Sequence, residues 1–131
     1  MKTDFTTILS RLQSNYPFLK ELDLSDQHIT QSQIKNLIHS LIKNKHLTIL
    51  NLKGNNIGDD GAILISQMLF YNTTLLEINL QNNNIKEIGR RALGRAIKMY
   101  RPLKISLIRN FILLGSVDNT VYHIIDDAKR E

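Results

Sequence analysis

Polar and apolar residues follow a pattern that returns along this chain at a nearly fixed interval. Blocks begin at Leu19, Leu47, Leu75 and Pro102, with spacings of 28, 28 and 27 residues. Each has the form L-x-x-L-x-L followed by x-x-N-x-I. The first reads Leu19, Leu22, Leu24, Gln27, Ile29, and the second Leu47, Leu50, Leu52, Asn55, Ile57. The third reads Leu75, Ile78, Leu80, Asn83, Ile85, and the fourth Pro102, Ile105, Leu107, Asn110, Ile112, where proline replaces the first leucine. The period-two stretch predicts a short strand, and the apolar residues after it change to helical spacing. Ile34, Leu37, Ile38, Leu41 and Ile42 form such a stripe; Ile65 and Leu69, then Leu93 and Ile97, repeat the offsets of Leu37 and Leu41.

One strand and one helix cannot bury both apolar faces alone, so neighbouring units must stack. The predicted fold is α/β: a short right-handed solenoid with a parallel sheet on the concave side and helices on the convex side. The repeats are predicted over 19–46, 47–74, 75–101 and a partial unit 102–112. Asn55, Asn83 and Asn110 sit where the chain leaves each strand, where an amide can bond backbone groups that the turn leaves unpaired. Gln27 holds that slot in the first block. Gly61 and Gly89 match in position at helix starts, where a missing Cβ permits close packing.

The segment Leu47 to Leu69, LTILNLKGNNIGDDGAILISQML, resembles the 28-residue repeat of ribonuclease-inhibitor-type leucine-rich repeat proteins. Similar arrays occur in ribonuclease inhibitor, the GTPase-activating proteins of Ran, immune receptors of the NOD-like class and the C-terminal domains of tropomodulins. The resemblance covers Leu19 to Ile112 and implies a horseshoe with a protein-binding habit, without naming a ligand.

Both ends of such a stack need covering. A helical cap is predicted over 1–18, with Asp4 capping a helix that carries Ile8, Leu9 and Leu12. A second helical cap is predicted over 113–131, started by Asp118, with Val121, Ile124, Ile125 and Ala128 on one apolar face. That helix could instead dock on a partner or a second copy.

Composition narrows the chemistry. With 131 residues the chain suits one domain. It has no cysteine, which removes disulfides, thiolate metal sites and a cysteine nucleophile and suits a reducing, cytoplasmic setting. No apolar run reaches the ~20 residues of a membrane span. The histidines His28, His39, His46 and His123 lack ligand spacing, and Asp59 and Asp60 suit a helix start better than a calcium loop. No nucleophile elbow, phosphate loop or dinucleotide fingerprint occurs. The expectation is a binding module, not an enzyme, with no cofactor and no metal. Abundant Asn, Ile and Lys suit an AT-rich genome, and a bacterial effector delivered into a host cell would fit that bias.

Two surfaces are candidates for binding. Side chains between the inward leucines point to the concave face. They are Glu21, Asp23 and Ser25; Ile49, Asn51 and Lys53; Glu77, Asn79 and Gln81; and Lys104, Ser106 and Ile108. Stacking should align them as Glu21, Ile49, Glu77, Lys104 and as Asp23, Asn51, Asn79, Ser106. The second surface is electrostatic. The chain carries a net charge of +5, and between Lys86 and Arg109 eight basic residues face the single acid Glu87. Arg91, Arg95 and Lys98 share a helix face flanked by Arg90 and Arg101, a stripe suited to nucleic acid, an anionic membrane or an acidic protein. Few aromatics interleave with it, which speaks against base-specific reading. The leading expectation is a protein partner on the concave face, bound by a monomer or weak oligomer. The alternatives are regulation of a partner enzyme, GTPase-activating or inhibitor-like, and electrostatic attachment through the basic helix.

Overall fold

The computed structural model describes residues 4–100, 104–106 and 124–125. The elements in chain order are α1 (Phe5–Gln13), β1 (Glu21–Asp23), α2 (Gln31–Leu41), β2 (Ile49–Asn51) and α3 (Gly58–Leu69). They are followed by β3 (Glu77–Asn79), α4 (Glu87–Tyr100), β4 (Lys104–Ser106) and β5 (Ile124–Ile125). The strands form one parallel sheet in sequence order, and each pair from β1 to β4 is joined by a helical crossover. Three-residue strands suffice because the ladder runs on beyond them: Leu24 N–H donates to Asn51 C=O at 2.8 Å and Leu52 N–H to Asn79 C=O at 2.9 Å.

The apolar slots read from the repeat meet in one core. Leu22, Leu50, Ile78 and Ile105 from the strands lie with Leu37, Ile65 and Leu93 from the helices, all buried. At about 1.5–3 kcal/mol for each fully buried aliphatic side chain, this shared interior is the main cohesive term between units. No helix among the described residues is long and apolar enough to cross a membrane.

The asparagine slot works as its position suggests. Asn55 Oδ1 accepts from the N–H groups of Gln27 and Ile29 at 3.1 and 3.3 Å, while its Nδ2 donates to the carbonyls of Leu24 and Leu52 at 2.9 and 3.0 Å. Asn83 repeats this one unit on, accepting from Asn55 and Ile57 N–H at 2.9 and 3.2 Å. Each amide therefore ties its own turn to the previous one. Gln27, with no earlier repeat to bind, is exposed and donates to Ser25 C=O at 3.1 Å. Asn110 lies outside the described residues.

A second amide ladder occupies the opposite turn. Asn44 and Asn72, buried and 28 residues apart, accept from Leu47 and Leu75 N–H at 2.8 and 2.9 Å. Their Nδ2 groups donate to Leu12 and Leu41 C=O at 3.1 and 2.7 Å, a second donor to carbonyls at the ends of α1 and α2 that also accept from Asn15 and Asn44 N–H at 3.2 and 3.3 Å. Left-handed residues also recur by repeat: Asp26, Gly54 and Asn82 in one column and His28, Asn56 and Asn84 in another, all with positive φ. Asn and Asp tolerate this region better than branched residues do, so the Asn-rich loops match the backbone required of them.

Helix starts differ from expectation in two places. Asp4 stands at the N-cap of α1, yet its side chain makes no cap bond. Asp59 and Asp60 lie in the first turn of α3 as expected, but Asp59 also reaches the next helix. Its Oδ1 accepts from Lys86 and Gly89 N–H at 2.7 and 3.1 Å, capping α4 from the preceding repeat. Asp59→Ala is expected to cost about 1–2 kcal/mol in urea denaturation, and Asp59→Asn, which keeps an acceptor, about half of that. α2 supplies its own cap, with Thr30 and Gln33 exchanging side-chain bonds in a capping box.

The helix predicted at the C-terminus needs correction at the two residues described there. Ile124 and Ile125 form β5, parallel to β4 with Ile105 opposite Ile124 and Ser106 opposite Ile125. Two adjacent β-branched residues favour extended backbone, and the open edge of β4 offers backbone partners that an isolated helix would leave unpaired. Asp118, Val121 and Ala128 lie outside the described residues.

Candidate functional site

The register places the predicted surface columns as the repeat requires. Glu21 stands opposite Ile49, Ile49 opposite Glu77, and Glu77 opposite Lys104. Asp23, Asn51, Asn79 and Ser106 form the neighbouring column. Leu22, Leu50 and Ile78 between them point into the core, so the flanking residues stand on the outer face. Glu21 and Asp23 are exposed, whereas Ile49, Asn51, Lys53, Glu77, Asn79 and Gln81 are half-buried, as is Ser25. The face is most exposed and more acidic at its N-terminal end and partly accessible over the next two units. Ile108 lies outside the described residues.

The second column does two jobs. Asp23 Oδ1 accepts from Ser25 N–H at 2.9 Å, Asn51 Oδ1 from Lys53 N–H at 3.0 Å, and Asn79 Oδ1 from Gln81 N–H at 2.9 Å. Each bond is a turn of the side chain onto the backbone two residues ahead, fixing the strand exit. The Ser25 hydroxyl and then its N–H, both bonding the charged carboxylate, hold the Asp23 carboxyl below the usual aspartate range. By linkage, that contribution to stability is present above the unfolded pKa and is lost as pH falls through the lower folded value. Asp23 is thus an anion at neutral pH, with one oxygen committed to structure.

Among the described residues the basic stripe loses one of its flanks. Arg90 is buried, not a flank of the exposed face, and its Nη1 lies 3.7 Å from Glu87 Oε1 without a hydrogen-bond partner. Its position falls on the side of α4 turned to the stack, where its long apolar stem adds to the packing. Arg91 is exposed but donates from Nε to Glu87 Oε1 at 3.0 Å. Arg95 is exposed. The side chains of Lys98 and Arg101 lie outside the described residues. Among the described residues the stripe therefore reduces to Arg91 and Arg95, the first partly neutralised by Glu87.

The sequence reading missed a groove on the helical side, between α2 and α3, lined chiefly by aliphatic and aromatic side chains with Lys35 and His39. Its signal was available as the adjacent Phe70 and Tyr71 at the end of α3, which are 45% and 67% exposed. Among the described residues, no three His, Asp or Glu side chains come together as a metal site.

Comparison with known proteins agrees with this architecture. A family model described as Leucine Rich repeat matches residues 43–66 and 71–94. Leiomodin-3 of Homo sapiens is 26% identical over 103 residues, covering 78% of this chain and 18% of leiomodin-3. The chain thus spans less than a fifth of that curated relative. Among solved structures, leiomodin-1 actin-binding site 2 superposes with a TM-score of 0.77 at 24% identity, covering 92% of this chain and 69% of that one. The tropomodulin C-terminal domain from Caenorhabditis elegans gives 0.75 at 19% identity, with 91% and 71% covered. At these identities the two structures show the fold: a leucine-rich repeat solenoid.

Proposed function

We propose that this leucine-rich repeat chain is a non-catalytic protein-binding module of the ribonuclease-inhibitor-like type, that it reads its partner with the outer face of the parallel sheet, and that the partner is actin. The observation that carries the first part is the aligned pair of columns from Glu21 to Glu77 and from Asp23 to Asn79, polar except for Ile49, exposed in the first unit and half-buried in the next two. A repeat array of this kind offers contact area without bringing reactive groups together. Actin is suggested by the leiomodin-1 structure, which is described as an actin-binding site. Cytoplasmic residence follows from that partner and suits a chain without cysteine.

Against the basic helix as the reader stands that, among the described residues, Arg90 is buried and Arg91 is paired. Two double variants separate the readings. Glu21→Lys with Lys53→Glu rearranges the sheet face without changing net charge and leaves Asn51, which holds the strand exit, in place. Arg91→Glu with Arg95→Glu reverses the helix. Affinity for monomeric actin by fluorescence titration, and for filaments by co-sedimentation, is expected to fall about tenfold in the first variant and to change little in the second. Loss confined to the helix variant would move the site to α4. Absence of binding by the unaltered chain to either form would exclude actin.

A further inference from the structure

Neighbouring helices do not all pack alike in this stack. Along α4, Gly89, Ala92 and Ala96 are buried at helical spacing, and α3 and α4 share the most extensive interhelical contact. α2 and α3 meet over less surface, and between them lies an open groove of about 730 Å³. One wall is Lys35, Ile38, His39 and Ile42; the other is Leu64, Gln67, Met68 and Tyr71, with Phe70 at the end. Each wall has the spacing i, i+3, i+4, i+7 of a single helix face, so the groove follows both helices for about two turns, or about 10 Å.

The two ends differ in chemistry. Lys35 stands at the N-terminal end, while Ile42, Phe70 and Tyr71 gather at the C-terminal end. The basic side chains lining the groove are Lys35 and His39, and no carboxylate is among its lining residues. Adjacent aromatic side chains left in water are costly to a free surface and typical of contact anchors. A volume of this size, mostly apolar with a few polar groups at one end, suits an amphipathic occupant.

We propose that this groove docks an amphipathic helical segment of a partner protein. Its apolar side chains from two successive turns seat between Ile38, Ile42, Leu64 and Met68, its tip meets Phe70 and Tyr71, and its carboxylate pairs with Lys35. Two parallel helix walls make a trough into which a third helix fits ridge into groove. The charge of the lining selects an acidic segment and repels a basic one. This site lies on the helical side of the solenoid and stands independently of the sheet-face reading.

The test uses the full chain and labelled, stapled helical peptides bearing leucine and phenylalanine at i, i+3, i+4 and i+7. Glutamate is placed one turn before or after them, and lysine twins serve as controls. Fluorescence polarisation is expected to show saturable binding of a glutamate peptide. Lys35→Glu and Tyr71→Ser should each weaken it about tenfold, and Lys35→Glu should transfer preference to the lysine twin. Both residues are exposed, so neither substitution opens the core. The Glu21→Lys, Lys53→Glu variant should bind the peptide as the unaltered chain does, which separates failure here from failure of the sheet-face reading. The proposal is overturned if no glutamate peptide binds, if binding ignores both substitutions, or if the lysine twin binds equally well. Self-association in sedimentation velocity that disappears with Tyr71→Ser would also overturn it, by making a second copy the occupant.

Discussion

Asn83→Ala is expected to destabilise the chain by about 3–5 kcal/mol, measured as the loss in unfolding free energy from urea titration followed by circular dichroism. Asn83 is fully buried, and its amide serves two turns at once. Its Oδ1 accepts from Asn55 and Ile57 N–H at 2.9 and 3.2 Å, and its Nδ2 donates to Leu52 and Gln81 C=O at 2.9 and 3.0 Å. Alanine removes the amide and leaves the N–H groups of Asn55 and Ile57 without their acceptor in a buried turn, while Leu52 and Gln81 C=O keep the bonds from Asn55 Nδ2 and Gly54 N–H. Each such group costs about 1–3 kcal/mol, and local relaxation keeps the total below the simple sum. The same slot in the first repeat supplies the control. Gln27 is exposed, and Gln27→Ala should change stability by no more than about 0.5 kcal/mol. Equal losses at both positions would mean that the Asn83 amide does not carry the tie between repeats.

That contrast shows why the fold was legible and where legibility stopped. Position 27 and its equivalents could be aligned from spacing alone, and the need of a turn for an amide follows from backbone chemistry. The sheet columns were equally open to inference, because a parallel register repeated every 28 residues places Glu21 beside Ile49 and Ile49 beside Glu77. Asn44 and Asn72 have the same spacing but stand outside the L-x-x-L-x-L pattern, so an apolar template passes over them. Their role appears only when α1 and α2 are seen to end on carbonyls, Leu12 and Leu41, that take a second donor from the following repeat.

The candidate surfaces were less legible, for reasons of geometry. Charge counting along α4 treats each arginine as a cation facing water, yet a helix turns by about 100° per residue, and adjacent Arg90 and Arg91 fall on different sides. The groove depends on the distance between α2 and α3, which side-chain size across two repeats determines and no single repeat displays. At the C-terminus, Val121, Ile124, Ile125 and Ala128 satisfied a helical period, but β4 presented an unpaired edge to which Ile124 and Ile125 add as a strand. Periodicity weighs only the segment itself, whereas the edge of a growing sheet weighs what the segment can join.

Gly89→Val is expected to cost about 3 kcal/mol or more, and Gly89→Ala about 1–2 kcal/mol, although helix propensity alone favours alanine over glycine by about 1 kcal/mol. A Cβ at Gly89 would lie 2.7 Å from Asp59 Oδ1, 2.9 Å from Ala62 Cβ and 2.9 Å from Ile85 Cγ2. Comfortable separation between carbon atoms is about 3.5–4.0 Å, so all three contacts are repulsive. Asp59 could turn aside, but that would break its bonds to Lys86 and Gly89 N–H. Ala62 has no rotamer to change, and relief there requires α4 to move away from α3. Overpacking therefore outweighs propensity, and the two extra methyl groups of valine enlarge the excess. Combining Gly89→Ala with Ala62→Gly should recover part of the loss, with a coupling of about 1 kcal/mol in a double-mutant cycle. If Gly89→Ala instead raised stability by the propensity difference, the close approach of α3 and α4 would be wrong, and the capping of α4 by Asp59 would lose its geometric basis.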